Sequence, residues 1–329
     1  MNKKIVLGIN LIIALFLACA NHNYTDVKVI EGNKTLEITK NTNSEMINAA
    51  LVLEGGSLRS IYTSGVLDVF MENNIEFSFV IGVSAGALNA ANYIPKHIGR
   101  SAKINILHSN DSNYYGIKQF LFKGSAFNFN YLFYSPIKDL YPYDENMFMT
   151  SKQRFLIGAT DCETGKTVYF EKHNYKDLVQ VLQASSSIPL LCKTVNIDDK
   201  IYLDGSISDP IGIRKAFSEG FDKQVIILTK SFGNNKTAWT KFPRFLSRIR
   251  YRKYPEVIKL LDNYSTLYNS LMEEINTMEN ENKAFVIRPS REVKIKTIER
   301  DARRLIDFYF LGREDALKSL PKMYEYLNQ

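Results

Sequence analysis

The serine best suited to nucleophilic chemistry in this sequence is Ser84, which lies between two glycines. It belongs to a Gly-x-Ser-x-Gly sequence at residues 82–86, after the apolar run 77–81 and before an alanine-rich segment. Gly-x-Ser-x-Gly between a strand and a helix predicts a nucleophile elbow, a sharp and strained turn that exposes the serine hydroxyl. The helix N-terminus behind Ser84 would favour a developing oxyanion. The five residues alone are weak support, and their position between a predicted strand and helix strengthens the interpretation.

A glycine-rich turn lies just before this unit. The apolar strand predicted at residues 49–53 runs into Gly55 and Gly56, and residues 61–73 carry apolar side chains on one face of a helix. A strand–helix–strand unit makes its two strands parallel, so this turn and Ser84 should meet at one sheet edge. We expect an oxyanion hole formed by backbone N–H groups of Gly55, Gly56, the adjoining Ser57 and Ala85. The alternative, a phosphate-binding loop, would need the Walker spacing and its lysine, and the turn has neither.

Several short sequences in a fixed order resemble the patatin-like phospholipases. They are found at residues 54–59, 82–86, 159–165, 184–189 and 202–206, and the resemblance covers roughly residues 49–230. It implies an acyl hydrolase that uses a Ser–Asp dyad without a cofactor. It also implies a three-layer α/β fold with a mostly parallel central sheet flanked by helices. Residues 284–289 and the segments around them resemble a bacterial subgroup with a C-terminal extension, which we expect to be largely helical.

The residues agree with a dyad whose base is Asp204. Residues 194–197 and 200–203 predict a hairpin, and Asp204-Gly205 ends its second strand in a tight turn. An Asp-Gly pair by itself indicates only a turn, and its place after the other two motifs favours a catalytic role. No histidine lies in a turn expected to face the elbow. The other candidate acids are Asp161, Asp209 and Asp68, of which Asp68 is expected to be a solvated helix residue.

An aspartate is a weak base in water, with a reference pKa of about 3.9 against about 6.5 for histidine. In a pocket that excludes water it can still orient the serine hydroxyl and accept its proton.

This sequence departs from the family pattern at the glycine-rich turn. Ser57 stands where the family usually carries a third glycine, and the substitution either narrows the oxyanion hole or only alters the turn. Ser60 and Ser206 likewise replace glycine or another small residue. The nucleophile and the base are both retained. The remaining motif residues are expected to be structural: Glu54, Arg59, Gly82, Gly86 and Gly205.

The first twenty residues have the form of an export signal. Lys3 and Lys4 precede an apolar stretch at residues 5–18 that is too short for a comfortable membrane span. Cleavage after Ala20 and lipidation of Cys19 in a loose lipoprotein box are the two main processing alternatives, and an uncleaved anchor is the third. We therefore expect an exported protein, either a membrane-anchored lipoprotein or a secreted or periplasmic one.

The chain of 329 residues then divides into three further parts. A polar tether is expected at 21–48, a catalytic domain at 49–230, and a C-terminal extension packed on it at 231–329. With 45% hydrophobic and 23% charged residues the composition is that of a globular protein, and the net charge is +7 (42 basic minus 35 acidic). No motif suggests a metal, and nucleic acid is disfavoured as a partner. Cys162 and Cys192 either pair or remain buried thiols.

Two segments outside the motifs suggest contact with lipid. Residues 103–150 contain many aromatic side chains in what reads as a loop-rich cover, which either binds an acyl chain or forms aromatic core. Residues 236–254 carry seven basic and no acidic residues, with Phe245, Leu246 and Ile249 on one helical face near Trp239. That helix either docks on anionic lipid or packs on the core through the same face.

Three functions are compatible with the sequence. The first is a serine hydrolase that cleaves fatty acids from phospholipids or lysophospholipids at a membrane surface. The second is a catalytically weak or inactive surface lipoprotein that binds lipid or another partner. The third is an esterase or thioesterase for soluble acyl groups. The sequence does not indicate the oligomeric state.

Overall fold

The computed structural model describes residues 28–31, 34–37, 46–134, 137–233 and 241–329. The predicted signal sequence with Cys19, most of the predicted tether, and Trp239 lie outside these residues. The chain divides into two units, Met1–Asn43 and Ser44–Gln329.

In the first unit, strands β1 (Lys28–Glu31) and β2 (Lys34–Glu37) pair in antiparallel register, so this part of the predicted tether contains a short β-pair.

The second unit is built on a mostly parallel sheet of eight strands. The strands are β3 (Ile47–Leu53), β4 (Phe77–Val83), β5 (Arg154–Asp161), β6 (Thr167–Glu171), β7 (Val195–Ile197), β8 (Lys200–Asp204), β9 (Gln224–Ile227) and β10 (Phe285–Ile287). Their order is β10-β9-β3-β4-β5-β8-β7, with β6 also pairing with β5. The first five are parallel, and β6, β7 and β8 pair in antiparallel register. The predicted parallel unit and the hairpin before Asp204 are confirmed.

Twelve helices are described along the chain. They are α1 (Ile61–Glu72), α2 (Ala85–Tyr93), α3 (Arg100–Leu107), α4 (Ile117–Lys123), α5 (Asn130–Phe133), α6 (Ile137–Leu140), α7 (Glu145–Thr150), α8 (Leu178–Ser185), α9 (Ile213–Ser218), α10 (Lys241–Arg250), α11 (Pro255–Asn280) and α12 (Ala302–Asn328). Short 3-10 turns at Ser57–Ser60 and Gly205–Ile207 follow β3 and β8.

One face of the sheet is covered by α9 and α11. Alternate residues of β3 and β4, such as Val52 and Ile81, share a buried cluster with Ile213 of α9 and Ile275 of α11. Because side chains alternate across a strand, the intervening residues face the layer on the other side. The fold is therefore a three-layer α/β arrangement with a helical C-terminal region, as the sequence predicted.

Helices α1 and α12 cross so closely that the backbone of each lies against the backbone of the other. A side chain at Gly65 would overlap the carbonyl oxygen of Tyr309, and one at Gly312 would overlap that of Tyr62. The ring of Tyr62 also lies against Phe308, with centroids 5.4 Å apart. The last helix of the chain is thus fixed closely to the first helix of the catalytic region.

The aromatic segment at 103–150 is more helical than the predicted loop-rich cover, since α4 to α7 and part of α3 fall within it. Its aromatic residues lie in three kinds of environment. Some line the cavity beside Ser84 (Tyr114, Phe127, Phe129 and Phe133), Phe148 is buried in the core, and Phe120 and Phe122 are exposed. The aromatic-core alternative is therefore right for part of the segment, and acyl-chain binding stays a prediction.

Helix α10 does not pack on the core through its apolar face. Phe245 and Ile249 are 60% and 57% exposed, and the helix region is anchored instead by the buried Ser247 and Tyr251. Among the described residues, no helix combines the length and the hydropathy that crossing a bilayer requires.

Cys162 and Cys192 are free, buried thiols and form no disulfide. Burial raises the pKa of Cys162 to about 12 and that of Cys192 to about 11. Both thiols therefore stay protonated at neutral pH and are poor nucleophiles.

Asp68 is buried, so its expected position as a solvated helix residue is wrong. Its carboxylate accepts hydrogen bonds from Gly99 N at 2.9 Å and from the Tyr309 hydroxyl at 2.7 Å. The error arose because the residue that covers it lies in α12, 241 positions away in the sequence. Desolvation raises the pKa of Asp68 from 3.8 to about 6, against the lowering effect of these two donors.

Replacing Asp68 with asparagine should change how stability depends on pH. A raised pKa in the folded state means that the folded protein binds the proton of Asp68 more tightly than the unfolded chain does. Proton binding at Asp68 therefore favours the folded state at low pH, and this stabilisation is lost as pH rises from about 4 to 6. The free energy of unfolding of Asp68→Asn, relative to the unmodified protein, should therefore rise across this window by up to roughly 3 kcal/mol. Denaturant titrations at several pH values measure this difference.

Glu314 is an exposed acidic residue on α12. The variant Glu314→Gln is therefore the control, since it also removes one negative charge but does so at the surface. A difference between Asp68→Asn and the unmodified protein that is constant from pH 4 to 7 would contradict the prediction.

Candidate active site

Ser84 occupies the turn between β4 and α2 in a strained conformation. Its φ is 55° and its ψ is −129°, a region that L-residues other than glycine rarely adopt. The turn needs close backbone contacts on both sides. A Cβ at Gly86 would overlap the carbonyl oxygen of Leu53, and one at Gly82 would lie 2.7 Å from the Cα of Ala87. The elbow therefore has the strained turn that the sequence predicted.

The Ser84 hydroxyl donates a hydrogen bond of 2.7 Å to Oδ2 of Asp204. Both side chains are buried. The second oxygen, Oδ1, accepts from Ser206 N at 2.9 Å, which fixes the orientation of the carboxylate. Asp204 meets the elbow because β8 pairs with β5, which in turn pairs with β4. The register places Asp204 opposite Ala159 and Val83 opposite Gly158.

The described histidines lie elsewhere. His97 Nε2 accepts from Asp144 N, and His108 Nδ1 is 2.9 Å from the Tyr131 hydroxyl. His173 lies in the turn after β6. In the part of the chain that the structure describes, no histidine hydrogen-bonds to Ser84, and Asp204 is the acid in contact with its hydroxyl.

Ser185 links the elbow to the neighbouring strand. Its hydroxyl accepts from Ser84 N at 2.9 Å and donates to the carbonyl oxygen of Gly158 at 2.6 Å. A buried hydroxyl that both accepts and donates is fully satisfied, so it holds the strained backbone of Ser84 at a fixed distance from β5.

A cavity opens beside Ser84, and part of its wall comes from α3, from α5 and from Tyr114 and Phe127 on either side of α4 in the sequence. One part of its wall is apolar and includes Leu88, Ile104 and Leu132, together with the four aromatic residues named above. The other part is polar. There Asn89 accepts from Ser64 and Ser101, and Arg100 donates to Asn92. Arg100 also donates to the carbonyl oxygens of Leu132 and Tyr141, which ties the cover to the cavity floor.

The family model of the patatin-like phospholipases matches residues 51–217, which include Ser84, Asp204 and most of the sheet. The chain belongs to the patatin-like phospholipase family. At the level of the family it is a lipid acyl hydrolase, and its substrates are lipids.

Three other similarities were found. The model of a domain of unknown function, DUF6363, matches residues 254–328. An uncharacterized protein of Escherichia coli (strain K12), YjjU, is 26% identical over 272 residues, which is 80% of this chain and 74% of that protein. The crystal structure of VipD from Legionella pneumophila aligns with a TM-score of 0.41 and 12% identity, and covers 84% of this chain and 67% of that one.

The glycine-rich turn of this patatin-like chain lies directly against the elbow. A Cβ at Gly55 would be 2.9 Å from the Cβ of Ser84, and one at Gly56 would be 2.7 Å from Oγ1 of Thr229. Among the described residues, the N–H groups of Gly55 and Gly56 donate to no other backbone group. Ser57 and Ala85 line the cavity with Ser84. Of the residues predicted for the oxyanion hole, Gly55, Ser57 and Ala85 therefore lie beside the candidate nucleophile, and Gly56 packs against Thr229.

Ser57 keeps the backbone conformation that favours glycine at its position. Its φ is 51°, in the left-handed region, and its hydroxyl donates to the carbonyl oxygen of Thr297 at 2.8 Å. This bond ties the turn to the segment before α12 and offsets part of the conformational cost.

Glu54 and Arg59 take different structural positions. Buried Glu54 accepts from Thr229 N at 2.6 Å and from the Tyr268 hydroxyl at 2.7 Å, which joins β3, the end of β9 and α11. Arg59 was expected to be structural, and its backbone N–H donates to Gly56 O. Its buried Nε, however, has no hydrogen-bond partner among the described residues.

The other candidate acids are engaged away from Ser84. Asp161 accepts from the N–H groups of Glu163 and Thr164 in the turn after β5. Asp209 accepts from Gly212 N and from the Tyr169 hydroxyl. Gly205 approaches β5 so closely that a Cβ would overlap the carbonyl oxygen of Gly158.

Sequence reasoning missed several residues that position Ser84 and Asp204. Ser185, Thr160 and Ser187 all hydrogen-bond to the backbone of Ser84 or Asp204. Two of them lie in the 184–189 motif, which was the available signal. A serine or threonine has no chemistry that marks it as a positioning residue until its neighbours are known.

The strain at Ser84 predicts a stability difference between two variants that lack its hydroxyl. Ser84→Gly and Ser84→Ala both remove the hydroxyl, but only glycine adopts a φ of 55° without a steric penalty. Relief of strain worth about 1–3 kcal/mol exceeds the entropy that glycine adds to the unfolded chain. Ser84→Gly should therefore be about 1 kcal/mol more stable than Ser84→Ala in chemical denaturation. Equal stability, or a more stable alanine variant, would show that the turn is unstrained.

Proposed function

We propose that this protein hydrolyses ester-linked fatty acids of phospholipids or lysophospholipids, with Ser84 as nucleophile and Asp204 as general base. The observation that carries the proposal is the hydrogen bond of 2.7 Å from Ser84 Oγ to Asp204 Oδ2 beside a cavity with an apolar wall. Family membership supports a lipid ester as the substrate.

In the first half of the reaction, Ser84 Oγ attacks the ester carbonyl carbon while its proton passes to Asp204 Oδ2. The carbonyl oxygen becomes an oxyanion, for which the N–H groups of Gly55, Gly56 and Ala85 are the proposed donors. When the tetrahedral intermediate collapses, the carbon–oxygen bond to the alcohol breaks and Asp204 returns the proton to the leaving oxygen. The acyl group is then bonded to Ser84.

In the second half, a water molecule attacks the acyl-enzyme and gives its proton to Asp204. The second tetrahedral intermediate releases the fatty acid, and the proton returns to Ser84 Oγ. Because Ser206 N already binds Oδ1, the other carboxylate oxygen remains directed at the serine throughout the cycle.

The cavity wall supports an acyl chain as the group that lies beside Ser84. Leu88, on the first turns of α2, and the aromatic residues of the cover provide apolar surface, and no acidic side chain lines the cavity among the described residues. Burial of apolar surface contributes about 25 cal/mol per Å², so a long chain would bind more strongly here than a short one.

Loss of either member of the dyad should abolish lipid hydrolysis. Ser84→Ala should reduce fatty acid release from phospholipid vesicles to the background rate, and Asp204→Asn should reduce it by about 10²–10⁴-fold, the usual contribution of a general base. Asp161→Asn, which changes a nearby acid that does not touch Ser84, serves as the matched control and should retain activity. Liberated fatty acid is the quantity measured.

Two further measurements separate the alternative functions. A fluorophosphonate probe should label the folded protein and not Ser84→Ala, and absence of labelling would favour a binding protein without activity. Faster turnover of a short soluble ester than of vesicle lipid would favour a soluble esterase or thioesterase. Full activity of Asp204→Asn on both substrates would contradict the dyad.

We also propose that the protein is exported and lipidated at Cys19, a residue outside the described part of the chain. Mass spectrometry of the mature protein should then find Cys19 as the acylated first residue. A mature chain beginning at unmodified Asn21 would indicate simple secretion. If Cys19 is acylated, Cys19→Ala should remove the mass of the acyl groups from the mature protein.

A further inference from the structure

The helix α4 (Ile117–Lys123) exposes almost all of its apolar side chains. Ile117, Leu121 and Phe122 are 70%, 69% and 82% exposed, and Phe120 is 39% exposed. Large apolar side chains gathered on one short surface element usually mark a contact site. The helix is held in place by its polar residue, since Gln119 Nε2 donates to the carbonyl oxygens of Ser112 and Asn113.

This helix is joined directly to the cavity that contains Ser84. The residues just before α4 and those just after it pair through their backbones. Gly116 N donates to Ala126 O at 2.9 Å, and Asn128 N donates to Tyr114 O at 2.8 Å. Tyr114 and Phe127, at the base of this pair, line the cavity. Only Tyr115 and Gly116 separate Tyr114, in the cavity wall, from the first residue of α4 in the sequence.

The charged side chains of α4 itself are both positive. Lys118 and Lys123 are exposed on the helix, and the acidic residues nearest to it in the sequence are Asp111 and Asp139. Lys193 lies beside Gly124 at the end of the helix, where a Cβ on the glycine would contact the lysine side chain. An apolar surface surrounded by lysines is complementary to an anionic bilayer, whose phosphates lie above its acyl chains.

A second apolar and basic helix, α10, is anchored to the loop at residues 186–193, which also contacts the chain next to α4. Ala126 N donates to Leu191 O at 2.7 Å, and the adjacent Leu190 N donates to the Tyr251 hydroxyl, just after α10, at 2.9 Å. Helix α10 carries the exposed Phe245 and Ile249 described above, with Arg248 and Arg250. The loop at 186–193 therefore has an apolar, basic helix attached on each side.

From these contacts we infer that α4 is the element that inserts into the surface of an anionic lipid bilayer and delivers the acyl chain to Ser84. The inference rests on the proposed hydrolase function for the delivery step, whereas insertion itself is independent of catalysis. Phe120, Leu121 and Phe122 enter the acyl region, and Lys118 and Lys123 contact lipid phosphates. Helix α10 provides the second contact with the same surface.

Binding is tested first in the Ser84→Ala background, where no lipid is consumed. The probe is a vesicle of mixed phosphatidylcholine and phosphatidylglycerol, and bound protein is measured by flotation. Leu121→Ser with Phe122→Ser should weaken binding at least about tenfold, because two large apolar side chains no longer leave water. Lys118→Gln should weaken it about fivefold on these vesicles and have no effect on pure phosphatidylcholine.

A matched control removes equally large apolar side chains far from the cavity. Phe217 and Phe310 are 38% and 37% exposed, and neither lines the cavity with Ser84. The variant Phe217→Ser with Phe310→Ser should bind vesicles like the unmodified protein. Circular dichroism of each variant confirms that the fold is retained, which is expected because the altered side chains are exposed.

The same substitutions are then measured in the active protein. The Leu121 and Phe122 variant should release fatty acid from vesicles at least about tenfold more slowly, and its rate on a dissolved short ester should change less than about threefold. If the unmodified protein hydrolyses neither substrate, the proposed function fails while the binding result still decides the role of α4.

Two outcomes would overturn the role of α4. Vesicle binding by the Leu121 and Phe122 variant that equals that of the control would show that α4 does not insert. Conversion of an oligomer to a monomer by the same variant in size-exclusion chromatography, with no vesicle binding by the unmodified protein, would assign the surface to a second copy of the chain.

Discussion

The elbow at Ser84 depends on backbone segments that approach more closely than any side chain would allow. Gly86 lies against the carbonyl oxygen of Leu53, and Gly55 faces the Cβ of Ser84. The strained φ of Ser84 persists because these neighbours leave no room for the turn to relax, and because Ser185 fixes its N–H. Strain of this kind is retained only where the surrounding structure determines it. The sheet order, with β4 between β3 and β5, supplies that surrounding structure.

The C-terminal region takes part in holding in place the sheet edge that carries Ser84. Glu54, the last residue before the glycine-rich turn, is a buried carboxylate whose described hydrogen-bond donors include Thr229 and Tyr268. Ser57 is bonded to Thr297, before α12. Removal of one partner from a buried charged group costs more than the bond itself contributes. The turn that carries the proposed oxyanion donors is therefore held from both the sheet and the C-terminal segment.

The local parts of the site could be predicted from the sequence, and the parts that depend on distant contacts could not. Ser84, Gly55 and Asp204 each lie in a short pattern with its own backbone requirement. Asp68 was misjudged because its cover, Tyr309, comes from the other end of the chain. The aromatic residues at 103–150 look alike in the sequence, yet Phe127 lines the cavity and Phe122 lies in solvent. Only the pairing at Gly116 and Ala126 separates them.

The crossing of α1 and α12 has a consequence for how this chain can evolve. Gly65 and Gly312 each face the backbone of the other helix, so a methyl group at either position would push the helices apart. Each position is restricted by itself, because a change at the other one would not relieve the overlap, although the two lie 247 positions apart in the sequence. A recombination event that exchanged the C-terminal segment with that of a relative would therefore keep this crossing only if the incoming helix carried glycine at the position of Gly312.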